Sequence, residues 1–182
     1  MRPICSTDTR NPNDRREVTM FRIGQGWDRH PLAVDRPCIL GGVAFPDSPV
    51  GPVGHSDGDA VCHAISDALL GAANLGDIGR HFPDTDPRWA GANSLELLRE
   101  VVGLVHKAGF QVSNIDCTVI TEQPAISPRA AAMQDALAGA LQIGSDRVSV
   151  KATRGEGLGP EGRGECLTVQ AVALLIAGQG DG

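Results

Sequence analysis

Hydrophobic positions between Phe21 and Ile176 switch repeatedly between a two-residue and a three-to-four-residue rhythm. Phe21 to Gly26 reads as a strand in which Gly24 and Gly26 permit close backbone approach. Pro37 to Pro46 predicts a short hairpin turning at or near Gly41-Gly42. Ala60, Val61, Ala64, Ile65, Ala68, Leu69 and Ala72 recur at helical spacing and predict an amphipathic helix from an N-cap at Ser56 to about Asn74. A second helix is expected over Ser94 to Ala108, with Ser94 as cap, Gly109 as stop, and Leu95, Leu98, Val101, Val102 and Val105 as its stripe. A third, rich in alanine, runs from about Pro128 to Leu141. Branched residues mark strands at Gln111–Thr121, Arg147–Thr153 and Cys166–Ile176. The order β, hairpin, α, α, β, α, β, β predicts an α/β (α+β) fold, a single layer of helices on a mixed four-stranded sheet.

Residues 1–19 lack any apolar period and read as a disordered N-terminal tail, leaving one domain over 20–178 and a C-terminal tail at 179–182. A length of 182 residues suits such a domain. A net charge of −6 argues against nucleic acid as partner, and no apolar run is long enough to span a membrane. Five scattered cysteines without a C-x-x-C pair read as reduced thiols in a cytoplasmic protein.

The densest chemistry lies in Gly54-His55-Ser56-Asp57-Gly58-Asp59-Ala60-Val61-Cys62-His63. With Ser56 as cap, Asp57 and Asp59 occupy the first turn and His63 lies about two turns in, sharing a face with Asp59 and Asp67. His55 then precedes a helix N-terminus, a place that favours phosphate. Upstream, Asp28 and His30 at i, i+2 spacing project to one side of an extended chain. One carboxylate and two imidazoles, Asp28, His30 and His63, suit zinc or another divalent transition metal with a position open to a ligand. The plainer alternative is that Asp57 and Asp59 only cap a helix and His63 is a partly buried polar residue. Between Lys151 and Glu165 a glycine-rich loop offers backbone donors to phosphate, with Thr153 and Arg154 as further donors and Glu156 as an oxygen ligand for Mg²⁺.

Arg22 to His30, His55 to His63, Leu75-Gly76-Asp77-Ile78-Gly79, Phe82-Pro83-Asp84-Thr85-Asp86-Pro87 and Gly162-Arg163-Gly164-Glu165 together resemble the 2-C-methyl-D-erythritol 2,4-cyclodiphosphate synthase family. The resemblance runs in order from Phe21 to about Ile176. It implies a homotrimeric lyase of isoprenoid precursor synthesis, with sheets facing a central channel and active sites shared between subunits. The implied substrate is 4-diphosphocytidyl-2-C-methyl-D-erythritol 2-phosphate, cyclised with loss of CMP. Asp28, His30 and His63 are implied zinc ligands, and Glu156 is implied to hold Mg²⁺ or Mn²⁺ on the diphosphate. His55 and Ser56 would face the phosphates. Asp77, Ile78, Gly79, Phe82, Asp84 and Asp86 would hold the methylerythritol part. Thr121, Pro124, Ala125, Ile126 and Ser127, with Ala152 and Thr153, would form the cytosine pocket. Arg163 would lie towards the channel.

The chain departs from the family pattern at several points. Gln25 stands where His is common, Ala125 where lysine is usual, and Arg154-Gly155 where two threonines follow Thr153. Pro160 replaces a bulky apolar residue. These departures leave three readings: the synthase, with Arg154 taking the phosphate contact; a paralogue acting on another CDP-linked substrate; and a non-catalytic trimer that binds cytidine nucleotides.

Overall fold

The computed structural model describes residues 20–178, so the tails expected at 1–19 and 179–182 lie outside the described residues. Strand β1 (Phe21–Val34) runs well beyond Gly26 and carries Asp28 and His30 within it. The hairpin forms as β2 (Ile39–Leu40) and β3 (Val43–Ala44), turning at Gly41 and Gly42, both at positive φ. Next comes β4 (Val50–Pro52), which the sequence reading missed because the prolines around it resemble loop punctuation. It pairs with Leu32–Val34 at the far end of β1. The sheet therefore has five strands, not four.

Helix α1 (Ala60–Ala72) begins four residues after Ser56, and its cap is Asp59. Gly58 is at φ 78, which the helix cannot include, and the Asp59 carboxylate accepts from Val61 N and Cys62 N. His63 consequently lies in the first turn rather than two turns in. A short α2 (Ile78–His81) interrupts the expected long loop. Helix α3 (Ser94–Lys107) is capped by Asn93, not Ser94. Strand β5 (Phe110–Ile120) leads through a 3-10 turn at Ser127–Arg129 into α4 (Ala130–Leu141), then β6 (Val148–Thr153). A one-turn α5 (Gly159–Gly162) sits in the glycine-rich loop before β7 (Cys166–Ala177).

The strand order is β4-β1-β7-β5-β6, antiparallel except for the β5–β6 pair. Along β7, Leu167, Val169, Ala171, Ala173 and Leu175 are buried under the helices while Gln170 and Val172 face the other way. Gly24 pairs with Ala173 and Gly26 with Ala171, so this part of the sheet has a shallow surface. Helix α1 settles onto it through Ala64, Ala68 and Ala72. A Cβ on Gly26 would stand 1.8 Å from the Ala64 carbonyl oxygen, and one on Gly24 1.9 Å from that of Ala68. This backbone-to-backbone seat sets the distance between β1 and α1, the two elements that carry the site.

Candidate metal centre

Asp28 and His30 project from the helix-covered face of β1 and meet His63 on α1. The Asp28 Oδ2 lies 3.1 Å from Nδ1 of His30 and 3.1 Å from Nδ1 of His63. One donor atom from each side chain falls within 4.8 Å of the other two. Nδ1 of His30 is buried and makes no aligned hydrogen bond, leaving its lone pair available to an ion in the cluster. The donor set and this orphaned atom fit a divalent metal. Burial works against the Asp28 charge, but the two imidazoles beside it outweigh that and hold the carboxyl well below the usual carboxylate range. Burial also opposes the charged His63 ring, yet its hydrogen bond to Asp28 and the nearby acids lift it above an ordinary imidazole.

A cavity of about 350 Å³ opens beside this cluster. His55, Ser56, Asp67, Ile78, Gly79, Phe82 and Asp84 line it with the three candidate ligands. Asp77 and Asp86 do not line it: Asp77 caps α2 through Arg80 N, and Asp86 caps the turn at Pro87–Trp89 and pairs with Arg88. The family resemblance implied substrate contact for both, whereas their carboxylates are used in local capping. The expected phosphate seat at the start of α1 also changes. Asp59 is fully buried and its carboxylate takes the N–H groups of Gly41, Gly42, Val61 and Cys62. It ties the hairpin to α1 and does not join His63 on the cavity side. Burial pushes the Asp59 carboxyl up, against those donors. Asp67 does reach the cavity, where Oδ1 accepts from Ile78 N at 2.7 Å and steadies α2.

A separate groove of about 150 Å³ collects Thr121, Pro124, Ala125, Ile126, Ser127, Ala152, Thr153 and Arg154. Segments far apart in sequence meet because β5 and β6 pair in parallel, placing Ile120 opposite Thr153. The groove and the metal cavity share no lining residue. Glu156 lies in neither; it is exposed at φ 52, with its N–H donated to Glu122. Gly155 is required by contact, since a Cβ there would stand 2.3 Å from Gly162 N. Arg163 is exposed and paired with Glu165.

Three contributors escaped the sequence reading. Trp89 and Leu97 line the cavity. Ser94 places its hydroxyl 2.9 Å from Nε2 of His63. Its position at a helix start pointed to capping, and nothing in the local pattern signalled a partner 31 residues away.

A mixed sheet under one helical layer, with an Asp-His-His cluster lining a cavity, defines a candidate divalent-metal centre. The chain belongs to the YgbB family, whose model matches residues 21–176. It is 52% identical over 160 residues to the 2-C-methyl-D-erythritol 2,4-cyclodiphosphate synthase of Cyanothece sp., covering 88% of this chain and 99% of the relative. Identity to the synthase of Laribacter hongkongensis is 56% over 155 residues, covering 85% and 95%. A solved 2C-methyl-D-erythritol-2,4-cyclodiphosphate synthase in a CDP-bound form superposes with a TM-score of 0.78 at 42% identity, covering 85% of this chain and 99% of that one. Among the described residues no helix is long and apolar enough to cross a membrane.

Proposed function

We propose that this chain is a metal-dependent lyase that converts 4-diphosphocytidyl-2-C-methyl-D-erythritol 2-phosphate to 2-C-methyl-D-erythritol 2,4-cyclodiphosphate and CMP. The observation that carries the reading is the convergence of Asp28, His30 and His63 beside the cavity, in a chain more than half identical to synthases of that name.

The chemistry asks for charge neutralisation and alignment, because an anionic phosphate must approach the phosphorus of an anionic diphosphate. Asp28, His30 and His63 would hold zinc and Glu156 would hold Mg²⁺ or Mn²⁺, and ions bound there would supply Lewis-acid stabilisation of the phosphoryl oxygens. His55 and Ser56, at the same cavity, orient the phosphates. Ile78, Gly79, Phe82 and Asp84 enclose the methylerythritol part, and Asp67 holds that wall in place. The groove between Thr121 and Ser127, floored by Ala152 and Thr153, receives the cytidine. Arg154 at its rim offers a permanent charge and a planar fork suited to phosphate.

The reading includes a homotrimer. Phe21, Ile23, Trp27 and Val172 stand 45–74% exposed on the helix-free face, an apolar set that a neighbouring subunit would cover. A three-fold ring covers that face symmetrically and lets the cavity of one subunit meet the groove of the next. Separate lining of the two sites within one chain supports the sharing. Sedimentation at micromolar concentration should report a trimer; a monomer that turns over at full rate would remove the shared site from this reading.

The test of function is CMP release from the named substrate with zinc and Mg²⁺ supplied. Arg154→Ala should lower turnover by ~10- to 1,000-fold, the scale of losing one charged stabiliser. Absence of CMP release by the unaltered, metal-loaded protein would instead favour another CDP-linked substrate or a non-catalytic nucleotide-binding trimer. An Arg154→Thr protein faster than wild type would favour the altered substrate.

A further inference from the structure

Asp57 and Ser94 converge on the side of His63 that faces away from the candidate metal. Ser94 is the first residue of α3 and is fully buried. Its hydroxyl lies 2.5 Å from Oδ1 of Asp57, and its backbone N–H donates to Oδ2 of the same carboxylate at 3.0 Å. The hydroxyl is also 2.9 Å from Nε2 of His63. A serine has one proton to donate, and an ionised carboxylate is the strongest acceptor within its reach. With the proton committed to Asp57, Ser94 presents only lone pairs to Nε2. Ser56 Oγ, 3.0 Å from the same nitrogen, accepts from Gly58 N at 3.3 Å and offers a second oxygen. Ser56 keeps a proton of its own and can donate or accept at Nε2, so the Ser94 contact decides: a bare Nε2 would set its lone pair against that of Ser94 at 2.9 Å, which favours hydrogen on Nε2.

In the charged, metal-free ring Nδ1 donates to Asp28 Oδ2 at 3.1 Å; in the neutral ring that would bind a metal, hydrogen kept at Nε2 leaves the lone pair on Nδ1. We infer that Asp57, acting through the Ser94 hydroxyl, is a positioning residue that fixes His63 with hydrogen on Nε2 and so presents Nδ1 to the metal. This rests on the metal reading above. It also assigns the first residue of α3 a role in the site: α3 approaches α1 here through a hydrogen bond to the ligand's ring. Replacing Asp57 by asparagine puts an amide donor into the pair. When that donor points at Ser94, the hydroxyl proton is turned towards Nε2 and the wrong nitrogen is left for the metal.

The experiment is zinc competition against a chromogenic chelator, on wild type, Ser94→Ala, Ser94→Thr and Asp57→Asn, with thermal unfolding of each metal-free protein. Ser94→Ala and Asp57→Asn should each weaken zinc by ~10- to 100-fold, the usual loss when a ligand's outer partner is removed. Ser94→Thr keeps the hydroxyl and should stay close to wild type. In zinc-loaded wild type, nitrogen-15 spectra should show a slowly exchanging proton on Nε2 of His63 whose signal moves in Ser94→Ala. Zinc held equally tightly by wild type and Ser94→Ala, or equally weakly by the Thr and Ala variants, overturns the inference while leaving the metal reading intact. Should Ser94→Ala not fold, an unchanged zinc constant in folded Asp57→Asn overturns it in the same way. Wild type that takes no zinc at all removes the metal reading and this inference with it.

Discussion

His63→Ala should purify without its metal and lose at least ~10³-fold in CMP release, because several kcal/mol of charge stabilisation go with the ion. The fold should survive. Helix α1 is capped by Asp59, whose contacts with Val61, Cys62, Gly41 and Gly42 do not involve the His63 ring. Circular dichroism should therefore match wild type while metal analysis reads near zero. A variant that retains stoichiometric zinc would show that the ligand set is different. The same site predicts how zinc uptake depends on pH. Asp28 holds a proton on His63 above the ordinary imidazole range in the metal-free protein, and zinc must displace it. Affinity should thus strengthen as pH rises through that range and fall as pH drops, with proton release accompanying uptake.

Gly26→Ala should be among the most damaging substitutions in the chain although glycine and alanine differ by one methyl group. The new Cβ would meet the Ala64 carbonyl oxygen at 1.8 Å and Ala68 N at 2.8 Å, and both are backbone atoms of α1 that cannot turn aside. The helix would have to lift off β1. A loss of ~3 kcal/mol is expected, at the upper end for overpacking, lowering the melting temperature by roughly 6–12 °C in a protein of this size. Zinc affinity should fall as well, since Asp28 and His30 ride on β1 and His63 on α1. Gly71→Ala is the control within the same helix: nothing lies within 4 Å of a Cβ there, and replacing a helical glycine should add ~0.5–1 kcal/mol. If Gly26→Ala melts with wild type, the close seat of α1 is not what holds the two ligand-bearing elements together.

The elements easiest to read in advance were those whose burial follows one periodicity. The α3 stripe through Leu98, Val101, Val102 and Val105 is buried as its spacing requires. Along β7, Leu167, Val169, Ala171, Ala173 and Leu175 form the buried row, with Gln170 and Val172 exposed between them. Capping was harder. Ser56 and Ser94 are both good cap residues by type, yet Asp59 and Asn93 take the role and the two serines turn to His63. Cap preferences are local and amount to ~1 kcal/mol, so a buried hydrogen-bond network can redirect them. Strand β4 was missed because it pairs with the end of β1, and a three-residue strand between prolines carries no period of its own.

The sequence by itself determined the helical layer on a mixed sheet, the glycines that admit α1 to β1, and the Asp28, His30 and His63 donor types. These depend on spacing within a single element, where 3.6-residue and 2-residue periods decide which side chains share a face. Tertiary structure decided which acids reach the cavity, turning Asp59 to the hairpin and Asp77 and Asp86 to local caps. It also brought Thr121–Ser127 against Ala152–Arg154 and placed Ser94 on the outer nitrogen of His63. These outcomes depend on how separate elements pack. A carboxylate goes to whichever unpaired donors the packed chain leaves within reach, and no periodicity in the sequence records where those will be.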